Sequence, residues 1–172
     1  HGAEAGFAFG SGMGAIHAAL VALVRAGERI VCTQAVYGST RALMERVLAP
    51  LGVEIAFVDP TDLEAVAQAL SAAPTRVLYA ETISNPTIVV ADLARLAELA
   101  HAHGARLVVD ITFASPFVCT PLELGADVVV ESATKWLSGH SDVVAGAVAG
   151  TREFIDRVRE VAVDTGGIVS PF

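Results

Sequence analysis

Short runs of β-branched and aliphatic residues alternate along the chain with longer Ala/Leu-rich segments, in which apolar residues recur at helical spacing. The short runs are typical of buried strands and the longer segments of amphipathic helices. The pattern predicts six strands, at residues 29–33 (RIVCT), 54–58 (EIAFV), 76–80 (RVLYA), 106–110 (RLVVD), 127–131 (DVVVE) and 144–150 (VAGAVAG). It predicts five helices, at about 13–26, 39–50, 61–72, 91–103 and 152–163.

Alternating strands and helices favour an α/β fold, a three-layer αβα sandwich around a mostly parallel sheet. Asp92 and Thr151 are expected to cap the starts of two helices, because their side-chain oxygens can accept a backbone N–H. Gly27, Gly52 and Gly104 are expected to mark helix ends. No repeat, linker or low-complexity tract divides residues 1–172, which predicts a single domain.

Polar residues follow three of the predicted strands directly. Glu81 follows the strand RVLYA, Asp110 closes RLVVD, and Ser132, Thr134 and Lys135 come after DVVVE. In open parallel sheets, ligands bind beyond the carboxyl ends of the strands. These side chains are therefore expected to meet at one edge of the sheet.

Composition narrows the range of partners. The chain is 53% hydrophobic and carries a net charge of −8, with no cluster of Lys or Arg. That balance argues against nucleic acid or an anionic membrane surface and favours a small-molecule partner. Cys32 and Cys119 lie far apart in apolar surroundings, which favours buried thiols in a reduced, cytoplasmic setting. No apolar stretch reaches the roughly 20 residues of a membrane span, and the first residues lack a signal-peptide pattern.

The stretch FGSGMGAIHAAL, residues 9–20, places three glycines at the start of a helical pattern. Free N–H groups and the positive end of a helix dipole make such a turn suitable for an anion, and phosphate is the natural guest. Two alternatives remain open. Gly10, Gly12 and Ala15 also fit a loose dinucleotide fingerprint, although Gln34 stands where that motif wants an acid. The glycines can equally mark a purely structural helix start.

The stretch SATK, residues 132–135, carries the most specific chemical signal. Ser132 and Thr134 can point hydroxyls at one phosphate, while Lys135 offers an amine for a Schiff base with an aldehyde. A surface lysine in a loop is the plain alternative, but it leaves the neighbouring hydroxyls unexplained. Asp110 could likewise be a simple turn residue. A functional role is favoured if a cationic partner stands beside it, and a protonated pyridine nitrogen would be suitable.

Six blocks in order resemble the Cys/Met-metabolism branch of the pyridoxal-phosphate enzymes, the group of cystathionine γ-lyase, methionine γ-lyase and the homoserine sulfhydrylases. The blocks are FGSGMGAI, VYGST, ETISNPT, VVDITFASP, LELGADVVVESATKWLSGHSDVVAGAV and TGGIVSPF. They cover nearly the whole chain. The resemblance implies the large domain of a fold-type I pyridoxal-phosphate enzyme.

The resemblance also implies roles for individual residues. Lys135 would be the lysine that binds pyridoxal 5'-phosphate, and Asp110 the partner of its pyridine nitrogen. Tyr37 would stack on the ring and assist proton transfer, while Asn85 would face the 3-oxygen of the ring. The phosphate would be held by the backbone of Gly12 and Met13 and by the side chains of Ser132 and Thr134. No metal site is expected.

Two positions depart from the pattern of the family. Ile111 stands where relatives usually carry asparagine, which is expected to change the solvation of the ring edge beside Asp110. Ser39 stands where methionine γ-lyases typically have cysteine, so the sequence does not support specificity for methionine.

The resemblance implies a carbon–sulfur lyase that acts on a sulfur amino acid by β- or γ-elimination. The alternatives are a γ-replacement enzyme and a non-catalytic cofactor-binding domain. Family members also have an N-terminal arm and a C-terminal domain, so residues 1–172 are expected to be the cofactor-binding domain of a longer protein. A homodimer or homotetramer is expected, with pairing through the face that carries Tyr37 and Gly12.

Overall fold

A computed structural model describes residues 1–170; the last two residues of the TGGIVSPF block, at positions 171 and 172, lie outside the described residues. Seven strands form one sheet: β1 Ala5–Phe9, β2 Arg29–Thr33, β3 Glu54–Val58, β4 Val77–Glu81, β5 Arg106–Asp110, β6 Val128–Glu131 and β7 Gly146–Gly150. The helices are α1 Gly12–Leu23, α2 Gly38–Leu43, α3 Leu63–Ser71, α4 Leu93–Ala102, α5 Ser115–Val118 and α6 Arg152–Thr165.

The strand order across the sheet is β1-β7-β6-β5-β4-β2-β3. Neighbouring strands are parallel throughout the series β6-β5-β4-β2-β3. Strand β7 runs antiparallel to both of its neighbours, β6 and β1. Helices α1 and α6, with the segment that begins at α2, pack on one face, and α3 and α4 pack on the other. The three-layer α/β fold with a mostly parallel sheet is thereby confirmed.

All six predicted strands are present, with ends that shift by at most two residues. The sequence missed β1, whose residues AGFAF alternate between partly buried and exposed positions at the edge of the sheet, with only Phe9 fully buried. Alanine and glycine have weak strand propensity, so this strand depends on its pairing with β7. The first and last strands of the chain thus lie side by side at one edge of the open sheet.

The predicted helix over 39–50 is in fact three short pieces. After α2 the chain continues as a π-helical turn, Met44–Leu48, and a 3-10 turn, Ala49–Leu51. Pro50 has no N–H to donate, so a regular α-helix cannot continue through it. The remaining predicted helices are confirmed.

The predicted helix caps are also confirmed. Asp92 accepts the N–H of Arg95, and Thr151 accepts that of Phe154. Gly52 and Gly104 have positive φ and directly follow helical segments, as expected. The prediction for Gly27 is wrong: α1 ends at Leu23 with Val24 as its C-cap, and Gly27 lies in the turn beyond. Among residues 1–170, no helix is both long and apolar enough to cross a membrane.

Candidate active site

All eight residues that the sequence singled out line one cavity of about 400 Å³ at the carboxyl ends of the parallel strands. They come from separate connections of the chain: Gly12 and Met13; Tyr37; Asn85; Asp110; Ser132, Thr134 and Lys135. The apolar residues Ile16, Ile83 and Phe113 also line the cavity. The expected meeting of strand-end residues at one edge is therefore confirmed, while the individual roles stay predictions.

The start of α1 forms one end of the cavity. Ser11 caps the helix: its Oγ accepts the N–H of Gly14 at 3.0 Å, and its carbonyl accepts that of Ala15 at 3.1 Å. The N–H groups of Gly12 and Met13 precede these and have no acceptor in the described part of the chain. They are available to an anion, which the helix dipole also favours.

Two close approaches hold this helix start in place. A Cβ added at Gly12 would lie only 2.7 Å from the Cβ of Ser132, so α1 begins directly against the end of β6. A Cβ added at Gly146 would lie 2.2 Å from the carbonyl oxygen of Ser11. Side chains larger than hydrogen do not fit at either position, which makes both glycines part of the architecture of the site.

The turn after β6 presents Ser132, Thr134 and Lys135. The N–H of Lys135 donates to the carbonyl of Ser132 at 3.0 Å, which closes the turn. The hydroxyl of Thr134 bonds both the carbonyl and the N–H of Ala145, at 3.1 and 3.0 Å. Thr134 therefore connects this turn to Ala145, the residue before β7. The hydroxyl of Ser132 makes no hydrogen bond within residues 1–170.

Lys135 is the only lysine in the chain. It is exposed, lines the cavity, and makes no ion pair within residues 1–170. An ammonium on an open cavity wall is solvated and flexible, and it can reach a guest without breaking an existing contact.

Asp110, at the end of β5, is only 6% exposed. Its carboxylate accepts the N–H of Thr112 at 2.8 Å and the hydroxyl of Tyr79 at 3.3 Å. Burial raises the pKa of Asp110, and these hydrogen bonds oppose the rise. It has no cationic partner among residues 1–170, so a cation in the cavity would find a buried carboxylate ready to pair with it.

Glu81, at the end of β4, is a second buried carboxylate in the cavity wall, 7% exposed. Its two oxygens accept the N–H groups of Tyr37, at 2.6 Å, and Asn85, at 2.9 Å. Burial raises the pKa of Glu81 to about 7, with a smaller contribution from the nearby Asp110. The sequence placed Glu81 at the correct edge but gave it no role.

Sequence reasoning missed Ser11, Thr112 and Gly146. Ser11 could have been found as a helix cap from its position before the glycine turn. Thr112 acts by accepting the N–H of Ser132, at 2.9 Å, from another segment of the chain. No local signal marks that contact or the one at Gly146.

The prediction for Ile111 is wrong. Its side chain is fully buried in an apolar cluster with Ala114, Val129 and Ala149, and it does not line the cavity. Successive side chains of an extended chain point to opposite faces, so Asp110 and Ile111 cannot both face the site. Thr112, which bonds Asp110, lines the cavity there instead.

The fold and site together define an α/β domain in which a helix start with free N–H groups, two buried carboxylates and one exposed lysine surround a single cavity. The sequence model of the Cys/Met metabolism PLP-dependent enzyme family matches residues 1–172. The chain is 45% identical to an L-methionine gamma-lyase of Pseudomonas putida over 99% of its length and 43% of the relative. It is 44% identical to a cystathionine gamma-lyase of Bacillus subtilis over 98% of the chain and 44% of the relative.

A solved structure agrees with these relatives. The crystal structure of metB from Corynebacterium glutamicum superposes with a TM-score of 0.94 and 37% identity, covering 98% of this chain and 44% of that one. The chain thus spans less than half the length of the proteins it matches. It belongs to the Cys/Met metabolism PLP-dependent enzyme family, which confirms the expected family and cofactor, pyridoxal 5'-phosphate.

The residues present suit that cofactor chemically. Two unpaired N–H groups at a helix start, with the Ser132 hydroxyl nearby, match a phosphate. The buried, cation-free carboxylate of Asp110 matches a protonated ring nitrogen, and the Lys135 amine matches an aldehyde. The cavity, at about 400 Å³, is within the usual range for a cofactor site.

Proposed function

We propose that this chain is the cofactor-binding domain of a pyridoxal-phosphate-dependent carbon–sulfur lyase, which eliminates a thiol from a sulfur amino acid at the β or γ position. The observation that carries the proposal is the convergence of Lys135, Asp110 and the start of α1 on one cavity. The similarity of the chain to an L-methionine gamma-lyase and a cystathionine gamma-lyase supports the proposal.

In this proposal the phosphate end of the cofactor is held by the N–H groups of Gly12 and Met13 and by Ser132. Thr134, whose hydroxyl bonds the backbone of Ala145, contributes chiefly by fixing the turn that carries Ser132 and Lys135. The dinucleotide alternative loses support, because β2 ends without an acidic side chain and Thr33 is followed by exposed Gln34.

The bound cofactor would supply an electron-accepting ring that stabilises the carbanion formed when the substrate loses its α-proton. Asp110 keeps a proton on the ring nitrogen, because its buried carboxylate gains from a cation beside it. Lys135 Nζ accepts the α-proton and returns it at a neighbouring carbon. Tyr37 would lie against the ring and Asn85 would face its 3-oxygen, so that the two side chains would fix the plane of the ring.

The substrate class follows from the same reasoning. An amino acid enters through its amine, and its leaving group must depart from the β or γ carbon. Ser39, exposed beside Tyr37, gives no reason to favour methionine over cysteine, homocysteine or cystathionine. We therefore propose sulfur amino acids as a class.

The test uses the full-length protein that contains this chain, loaded with pyridoxal phosphate. Cysteine, homocysteine, methionine and cystathionine are offered singly, and ammonia and 2-oxo acid are measured. Lys135→Arg keeps the positive charge without a primary amine, so it should lose activity while remaining folded. Absence of 2-oxo acid from every substrate would contradict the lyase, and a product formed only when a second thiol or amino acid is added would indicate γ-replacement.

We further propose that the full-length protein acts in the cytoplasm as a homodimer or homotetramer. Several large apolar side chains are exposed on the loops that follow the strands, and the proposal is that they are covered by a second subunit, because large exposed apolar patches usually mark interfaces. The most exposed are Phe117, Val118, Val90, Val144 and Trp136. Light scattering of the full-length protein should give at least twice the monomer mass, and a monomer at micromolar concentration would contradict the proposal.

A further inference from the structure

Glu81 is the one buried side chain of the cavity wall whose two oxygens are both committed to backbone groups. Oε1 accepts the N–H of Tyr37 and Oε2 accepts that of Asn85, at 2.6 and 2.9 Å. Neither oxygen has another partner in the described part of the chain. Tyr37 lies 44 residues from Glu81 in the sequence, so this contact joins two independent connections of the fold.

Those connections carry the groups proposed to contact the cofactor ring. Tyr37 caps α2 without any side-chain hydrogen bond to its own helix. Asn85 lies in the segment between β4 and α4, where Ser84 organises the turn through Thr87 and Val89. Within residues 1–170, no hydrogen bond other than those to Glu81 joins the Tyr37 segment to the Asn85 segment.

We propose that Glu81 is a positioning residue that fixes the spacing between Tyr37 and Asn85, and so the plane in which the cofactor ring lies. The inference rests on the proposed function for the roles of those two residues. Glu81 acts through their backbones and touches neither substrate nor the reacting atoms. The two oxygens of a carboxylate are held at a fixed distance by one carbon. Because each accepts one of the two N–H groups, they fix the distance between the Tyr37 and Asn85 backbones.

Glutamine is the sharpest probe because it keeps the shape of the side chain. Its amide has only one acceptor, and its NH₂ group would face one of the two N–H donors, which removes one bond and adds a donor–donor contact. Hydrogen bonds to charged groups are strong enough that losing one corresponds to about a 10- to 100-fold effect. We expect Glu81→Gln to lower kcat by that factor with a smaller change in KM.

The experiment uses the full-length holoenzyme at pH 8.5, where the Glu81 carboxyl is ionised. Visible circular dichroism of the bound cofactor reports the orientation of the ring, and borohydride reduction reports attachment to Lys135. Glu81→Gln should change the circular dichroism and retain reductive attachment. The matched control is Glu131→Gln: Glu131 is also a buried glutamate at the end of a strand, at 1% exposure, but it bonds His1 and does not line the cavity.

Amide hydrogen exchange keeps the inference testable if Glu81→Gln does not fold. In the wild type the N–H groups of Tyr37 and Asn85 should both exchange slowly, although each lies outside regular secondary structure. Free exchange at either position in the wild type, or wild-type kcat and circular dichroism in folded Glu81→Gln, would overturn the proposal. A wild-type holoenzyme that forms no 2-oxo acid would instead count against the proposed function and leave the exchange result to decide the role of Glu81.

Discussion

Replacing Gly146 with alanine tests whether β7 supports the anion-binding end of the cavity. The added Cβ would lie 2.2 Å from the carbonyl oxygen of Ser11, 2.6 Å from its carbonyl carbon and 2.8 Å from the nitrogen of Gly12. All three are backbone atoms, so no side-chain rotation can relieve the overlap. The turn must move away by roughly 1 Å to restore ordinary contact distances.

This displacement sets the expected magnitude. Overpacking a buried position costs about 1–3 kcal/mol, and each kcal/mol lowers the Tm of a domain of this size by about 2–4 °C. The turn that moves also carries the free N–H groups of Gly12 and Met13. A misplacement of about 1 Å can weaken a preorganised site by about 100-fold, so the affinity for the phosphate of the cofactor should fall together with stability.

Two measurements on the full-length protein separate these effects. Thermal unfolding without cofactor gives the change in Tm, and titrations with pyridoxal phosphate and with pyridoxal compare ligands that differ only in the phosphate. Gly146→Ala should weaken binding of the phosphorylated form far more than that of pyridoxal. In the control, Gly6→Ala, the new Cβ lies 3.3 Å from the carbonyl oxygen of Val148 on the same strand pair, a contact that a small shift relieves.

A Gly146→Ala protein with the Tm of the wild type and an unchanged preference for the phosphorylated ligand would contradict this prediction. Equal damage in Gly6→Ala would also contradict it, because the effect would then come from the strand pair as a whole. A loss of Tm with no change in the phosphate preference would place the strain elsewhere in β7.

Three other outcomes are expected. Borohydride reduction of the yellow holoprotein should attach the cofactor to Lys135, and a peptide map with Lys135 unmodified would contradict its role. Asp110→Asn in the full-length enzyme should retain reductive attachment but lower elimination at least about 100-fold, because a neutral amide no longer holds the proton on the ring nitrogen; wild-type turnover would remove Asp110 from the mechanism. Burial raises the pKa of Glu81 from 4.5 to about 7. Between these pH values the folded, cofactor-free protein keeps a proton that the unfolded chain has lost, so the free energy of unfolding should fall as pH rises from about 4.5 to about 7. Denaturant titrations give the free energy of unfolding at each pH. Glu81→Gln should reduce its fall across this pH range by up to about 3 kcal/mol, and an unchanged pH dependence would contradict the raised pKa.

The sequence predicted the features that rest on local patterns. Strands β2, β3 and β5 were found at their observed ends because β-branched runs with clear borders mark buried parallel strands. Eight of the residues that line the cavity were predicted, because they follow strand ends or lie in the six blocks that resemble the family. Strand β1 was missed because a short Ala/Gly-containing segment has little intrinsic preference and takes its conformation from β7.

The parts that were missed depend on contacts between distant segments. Thr112 and Ser132 lie 20 residues apart, and their hydrogen bond follows from the pairing of β5 with β6. The contact of Gly146 with Ser11 depends on β7 running antiparallel beside β1, which composition does not reveal. The error at Ile111 was avoidable, because strand alternation already directs that side chain away from Asp110.

The placement of the Ser11–Gly12 turn against both Ser132 and Gly146 has a consequence for the nascent chain. At about 5–20 residues per second, the ribosome needs on the order of 10 s to proceed from Gly12 to Ser132. During that interval α1, whose buried face includes Ile16, Ala19 and Leu20, has neither β6 nor β7 to cover it. A nascent chain stalled before Ser132 should therefore expose this helix to chaperones and bind no phosphate, and both properties should reverse once Gly150 has left the exit tunnel.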